Sequence, residues 1–218
     1  MYIETGARRV FACAVDWPGW CRSAKDEDLA LDALRSYAQR YWPVAKEAGI
    51  VFPKGAADAL EVVERVAGGS TTDFGAPESV ARADGEPLSL EQVARQGALV
   101  AAAWTVFDRI VAGSPAHLRK GPRGGGRDRD AIVAHVLGAE VVYARKLGIR
   151  RREPDPDDAK AIHALRDGIT GVLSSVREPA PLVERGWPVR YAARRIAWHV
   201  LDHAWEIEDR REPQQAQE

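Results

Sequence analysis

The chain has 218 residues, 45% of them hydrophobic, and its 31 Lys and Arg are balanced by 32 Asp and Glu for a formal net charge of −1. That length is enough to bury one large core or two smaller ones, and the charge balance argues against a nucleic-acid surface as the main business of the protein. No apolar run approaches the roughly 20 residues needed to cross a bilayer, and the opening MYIETGARRVFACAV lacks the ordered charged, apolar and small-residue regions of a secretory signal, which predicts a cytoplasmic protein.

Residues 8–15, RRVFACAV, are rich in β-branched and aromatic side chains and predict a strand. The next stretch, DWPGW, carries a turn signal: Pro18 fixes its own φ and Gly19 accepts the positive φ that follows. Cys13 and Cys21 do not form a CxxC motif. They read as reduced thiols, with Cys13 in the core and Cys21 following Trp20 in a more exposed place. A helical pattern runs from about Asp26 to about Ala48, with Leu29, Leu31, Leu34, Tyr37, Ala38 and Tyr41 at three-to-four spacing, and Pro43 is expected to kink it or end it early. ALEVVERVAG, residues 59–68, predicts a second strand in which Leu60, Val62 and Val66 alternate with Glu61 and Glu64. The first third is therefore expected to be a small sheet crossed by one helix.

The order of strand, VDWPGWCRSAKDEDLALDAL and helix resembles the HicB-like antitoxin fold, over about residues 8–66. The resemblance implies a compact α+β module. An obvious DNA-binding tail of that family is lacking here.

Residues 67–88, AGGSTTDFGAPESVARADGEPL, are dense in Gly, Pro, Ser, Thr and Asp and predict a linker or a draped loop. Long amphipathic helices are expected beyond it. The first opens at Ser89, capped in a box with Gln92, and runs to about Ala112, with Val93, Ala98, Ala101, Val106 and Ile110 on its apolar face. A second runs from Asp128 or Asp130 to Leu147 and stops at Gly148; Ile132, Val136, Ala139 and Tyr143 recur on one side. A third opens at DPDDAK, with Asp155 as cap and Pro156 in the first helical position. The last covers about Val189 to Arg211. Four such helices satisfy their apolar stripes by packing as a bundle. The fold class expected is α+β, with an N-terminal module and linker at 1–85 and a four-helix bundle at 86–218.

The last helix carries WHVLDHAWE, with His199 and His203 four residues apart. Positions four apart lie above one another, about 6 Å along the axis, and Ile196, Val200 and Ile207 make that side apolar. Buried imidazoles need partners, so the pair is either satisfied by core hydrogen bonds or holds a metal. His135, between Ile132 and Ala139 on the second bundle helix, is a third inward imidazole, and three approach the ligand count of a metal site with an open position.

DRDAIVAHVLGAE with His135, and RRIAWHVLDHAWEIEDR with His199 and His203, resemble the DinB/YfiT-like superfamily. There a four-helix bundle carries one histidine on its second helix and an HxxxH pair on its fourth. The resemblance covers about residues 86–212. It implies a divalent transition metal, zinc or nickel, on His135, His199 and His203. It also implies chemistry with a low-molecular-weight thiol such as mycothiol, in a transferase or isomerase acting on a small-molecule substrate.

Other residues near that face have roles to weigh. Glu206, the catalytic candidate, falls on the side of His203, where it could orient a ligand, act as a base, enter the coordination shell or pair with Arg210. Asp202 could fix a histidine tautomer or pair with Arg194 or Arg195. Trp198 and Trp205 form a second stripe that packs either on the N-terminal module or between the copies of a homodimer. RKGPRGGGR, residues 119–127, lacks the Lys-Ser/Thr ending of a phosphate loop. It reads as a flexible connection, or as a place where Arg123 or Arg127 binds the carboxylate or sugar of the thiol cofactor. His117 and His163 read as solvated or structural.

Three functions follow as expectations. The first is a metal-dependent thiol transferase or isomerase. The second is a non-catalytic protein-binding module with a structural bundle, and the third a metal hydrolase without a thiol.

Overall fold

The computed structural model describes residues 1–121 and 124–211. It is α+β, a four-stranded sheet followed by a helical region. Strands β1 (Tyr2–Thr5), β2 (Val10–Cys13), β3 (Cys21–Ala24) and β4 (Glu64–Ala67) lie in the order β3-β2-β1-β4. The first three are antiparallel neighbours, and β4 runs parallel to β1.

Two of these strands escape a reading by periodicity. β1 is four residues long and ends in Glu4 and Thr5, yet Glu4 is fully buried. Its carboxylate accepts from the Thr72 hydroxyl at 2.5 Å and from the backbone N–H groups of Glu78 at 2.9 Å and Ser79 at 3.1 Å. A charge can sit inside the fold because a distant loop supplies three donors. β3 is specified mainly by its partner: Cys21 lies opposite Cys13 in register. Pairing of that kind buries Cys21, which is 5% exposed where a more exposed place was expected. Both cysteines are free thiols. In the segment read as a strand from Ala59 to Gly68, only Glu64–Ala67 pairs, although the alternation of burial already starts at Leu60.

The turn at Pro18-Gly19 forms as expected. Gly19 has φ +93°, and a Cβ there would lie 2.6 Å from Leu201 Cδ1 and 3.1 Å from the Ala197 carbonyl carbon. Glycine is thus required twice, by the turn and by the helix packed on it.

Helix α1 (Glu27–Ser36) is capped by Asp26, which accepts from Leu29 N at 2.9 Å. The expected single helix to Ala48 is broken, but at Tyr37 rather than at Pro43, which lies inside α2 (Ala38–Glu47). The Tyr37 ring packs 4.9 Å from Trp205, and the guanidinium groups of Arg22 and Arg40 lie over it at 4.1 and 5.0 Å. This aromatic and cationic packing, absent from any local pattern, accompanies the bend.

Residues 67–88 are draped over the sheet, with a short helix α3 (Ser70–Phe74) and a 3-10 turn at Arg82–Gly85. The drape is pinned by Thr72 to Glu4 and by Asp84, fully buried, to Arg194.

The four long helices are α4 (Leu90–Ala112), α5 (Arg129–Lys146), α6 (Ala159–Leu173) and α7 (Val189–Arg210). α4 opens on the expected capping box, Ser89 Oγ accepting from Gln92 N at 3.1 Å while Gln92 Oε1 accepts from Ser89 N at 2.8 Å. Its buried face is wider than expected: Leu99, Val100, Ala103, Trp104 and Phe107 join Val93 and Val106, while Ala98, Ala101 and Ile110 are half-buried. α6 starts one turn later than expected, because Asp155 accepts from Asp157 N in a preceding turn and Asp158 caps the helix through Ala161 N.

α7 packs against α4 and α5, and α2 against α4. Ile3, Trp20, Leu34 and Tyr41 share one apolar core with Phe107, Ile132, Leu201 and Trp205. The indole stripe of α7 faces the N-terminal elements, Trp198 edge-on to Phe11 at 6.0 Å and Trp205 against Tyr37. Between α4, α5 and α6 lies a buried polar clamp. Glu140 accepts from Trp104 Nε1 at 2.8 Å and from Arg166 Nε and Nη2 at 3.2 Å each, and Arg166 reaches Asp108 at 2.8 Å. Among the described residues no helix is long and apolar enough to cross a membrane.

Candidate metal centre

α5 and α7 bring His135, His199 and His203 together, one ligand nitrogen from each lying within 4.8 Å of the others. His135 Nε2 and His199 Nε2 are 3.2 Å apart. Two nitrogens sharing a tetrahedral ion at about 2.0–2.1 Å stand roughly 3.3 Å apart, so this pair is already at the spacing of a chelate. The ring centroids are 4.7, 4.9 and 5.1 Å apart. His199 is buried, whereas His135 and His203 are half-buried, which leaves one side of the cluster open.

The protonation chemistry favours a cation. Burial holds the His199 pKa well below the usual histidine range, and His203, Arg195, His135 and Arg127 push in the same direction. His135 is lowered by burial and then by His203 and Arg127, with Glu206 opposing. Both rings are therefore neutral near pH 7 and offer lone pairs. His203 Nδ1 is 2.8 Å from Glu206 Oε2. An ionised carboxylate can only accept, so Nδ1 carries a proton and Nε2 is the nitrogen left to face an ion.

Glu206 is in turn fixed. Its Oε1 accepts from Arg210 Nη1 at 2.6 Å, and Arg210 Nε donates to the Arg119 carbonyl at 2.9 Å. Its pKa is lowered chiefly by the hydrogen bond to His203, with Arg210 adding to this. Of the alternatives weighed for Glu206, the geometry brings together both the ligand-orienting contact and the pair with Arg210. This relay also explains Gly126, at φ +112°, where a Cβ would meet Arg210 Nη2 at 2.6 Å.

The remaining candidates are placed as follows. Arg127 is exposed, and its charge acts on both His135 and His199. Arg123 lies outside the described residues. Asp202 pairs with Arg22 on β3 at 2.8 Å, and not with Arg194 or Arg195, because α7 presents it to the sheet. His117 and His163 are exposed.

Two neighbours of the cluster had no role assigned to them there from the sequence. Tyr143, read only as part of an apolar face, stands edge-on to His199 at 5.6 Å. Arg195 lies over Tyr143 at 5.4 Å and over Trp198 at 4.6 Å. The signal for Arg195 was its spacing, four residues before His199.

Compared with protein families, curated proteins and solved structures, the chain matches none.

Proposed function

We propose that the chain is a divalent-metal-dependent enzyme of the DinB-like kind, a transferase or isomerase that acts on a small molecule with a low-molecular-weight thiol. The observation that carries this reading is the meeting of three imidazoles from two helices around one point, open on one side. A zinc or nickel ion held there would acidify a bound water or stabilise a thiolate near neutral pH.

The chain's own residues do the rest. His199 and His135 stay neutral and available, and the carboxylate of Glu206 holds the His203 ring and its Nδ1 proton in place. Glu206 thus acts as a positioning residue, with both oxygens engaged. Arg127, exposed beside the cluster, provides positive charge where an anionic thiol would approach.

The test is metal content of untagged protein after reloading with zinc or nickel, followed by turnover of electrophiles with and without a thiol. About one equivalent of metal, lost in His199→Asn, supports the reading. Less than a tenth of an equivalent overturns it, and ester turnover independent of thiol transfers the site to the hydrolases.

A further inference from the structure

The hairpin of β2 and β3 sets the two cysteines of the chain face to face. Cys13 and Cys21 are partners in the antiparallel register, and such partners alternate between two kinds, of which only one exchanges backbone hydrogen bonds. In the next pair along, Ala14 N donates to Trp20 O at 2.9 Å, while Cys21 N turns away to Gly19 O at 3.0 Å. Cys13 and Cys21 are therefore a non-hydrogen-bonded pair, the kind with the closer side chains and with Cα atoms about 4.5 Å apart. That separation lies inside the range of about 4.4–6.8 Å that a disulfide spans. A register slipped by one residue would send the two thiols to opposite faces of the sheet.

Both thiols instead point to one face, into an apolar cluster with Tyr2, Phe11, Ala81 and Trp198. They are close enough for a side-chain hydrogen bond between them. Cys13 is 2% exposed and Cys21 5%, and burial holds the Cys21 thiol protonated, so neither sulfur is placed as a surface nucleophile. Each has its nearest possible reaction partner inside the fold. Both also line a small cavity beneath α7, about 10 Å³, which gives the side chains room to turn towards each other. Reagents have a way in as well: β3 is a four-residue strand at the edge of the sheet, and opening there costs less than opening the bundle.

We propose that Cys13 and Cys21 are a reversible dithiol–disulfide couple, which the disulfide of a low-molecular-weight thiol oxidises when β3 opens. In the first exchange one cysteine sulfur attacks that disulfide, a mixed disulfide forms and one small thiol leaves. In the second the other cysteine attacks the mixed disulfide, the bond between Cys13 and Cys21 forms and the second small thiol leaves. The two cysteines lose two electrons, the reagent gains them, and both cysteine protons end on the released thiols. The oxidised hairpin is tied across its strands beneath Trp198, the neighbour of His199 on α7. The couple depends on the hairpin alone and stands apart from any metal on the histidines.

The experiment equilibrates the full chain, folded and in concentrated urea, with glutathione and its disulfide at a series of ratios. Acid quenching, alkylation and intact mass then count the free thiols. Closing the loop from Cys13 to Cys21 costs the unfolded chain entropy that the folded hairpin has already lost, so the folded chain is expected to form the disulfide with an equilibrium constant about 10–100-fold larger. The expected product is a monomer two hydrogens lighter, which dithiothreitol returns to the dithiol. Equilibrium is approached from both sides, from reduced chain and from chain oxidised in urea and refolded. A folded constant equal to or below the unfolded one, mixed disulfides or linked dimers as the main products, or a folded chain that does not reach the same ratio from both sides within a day would each overturn the proposal. All of these readouts use the unaltered chain, so none waits on a variant that folds.

Discussion

Replacing Glu206 tests how the proposed metal centre is assembled. Its carboxylate holds His203 Nδ1 at 2.8 Å and is itself held by Arg210 at 2.6 Å, so the ring is oriented by a charge fixed at both ends. Loss of such an outer-shell partner typically lowers metal affinity by about 10–100-fold, or about 1.4–2.7 kcal/mol. The two obvious variants divide that range. Glu206→Gln keeps an oxygen that accepts from Nδ1–H but loses the charge, and a neutral hydrogen bond is about half as strong as a charge-assisted one; the expected loss is close to 10-fold. Glu206→Ala frees the ring altogether and leaves the Arg210 charge without its carboxylate, so the loss approaches 100-fold. Competition for zinc against a chromophoric chelator measures both, and the visible spectrum of the cobalt-substituted protein reports whether the ligand set persists. Affinities within about threefold of the parent in both variants, with His199→Asn abolishing binding, would show that the His203 ring needs no carboxylate, and the relay argument would be wrong.

Glu140→Leu strands the Arg166 charge and the Trp104 N–H inside the bundle. Breaking one side of a buried pair costs about 3–5 kcal/mol, or roughly 6–20 °C in Tm. Calorimetry should show most of this recovered in Glu140→Leu/Arg166→Met, and a double variant no better than the single would contradict the clamp. Gly19→Ala combines a positive φ with a Cβ 2.6 Å from Leu201. It is expected to lose about 2–4 kcal/mol in urea titration, and a loss under 0.5 kcal/mol would mean that α7 yields there. For pH, the folded His199 has a depressed pKa and stays neutral, whereas the unfolded chain takes up a proton below about pH 6.5. Its contribution to stability is therefore complete above pH 6.5 and falls with pH, by up to about 1 kcal/mol between 6.5 and 5.5. Chemical denaturation of metal-free protein should show a shallower pH slope in His199→Gln; equal slopes would count against a neutral, buried His199.

Local chemistry wrote much of this structure into the sequence. The box of Ser89 and Gln92 sets the start of α4, Gly148 at φ +81° ends α5, and the turn at Pro18-Gly19 forms where its residues place it. These features depend on residues within a few positions of one another, as does the four-residue spacing that aligns His199 with His203. The phase of His135 against Ile132 and Val136 turned a third ring towards them, so the histidine cluster was legible before its geometry.

What local pattern could not contain was decided by contacts far apart in the chain. β1 and β3 are too short and too polar to announce themselves, and exist because β2 pairs with both and the drape supplies donors to Glu4. The bend at Tyr37, the pair of Asp202 with Arg22 and the clamp of Glu140 with Arg166 likewise join separate elements. The same is true of the small cavity that α7 closes over Cys13 and Cys21. A buried charge is tolerated only where donors or counter-charges arrive from elsewhere, and which segments arrive is settled when the layers pack.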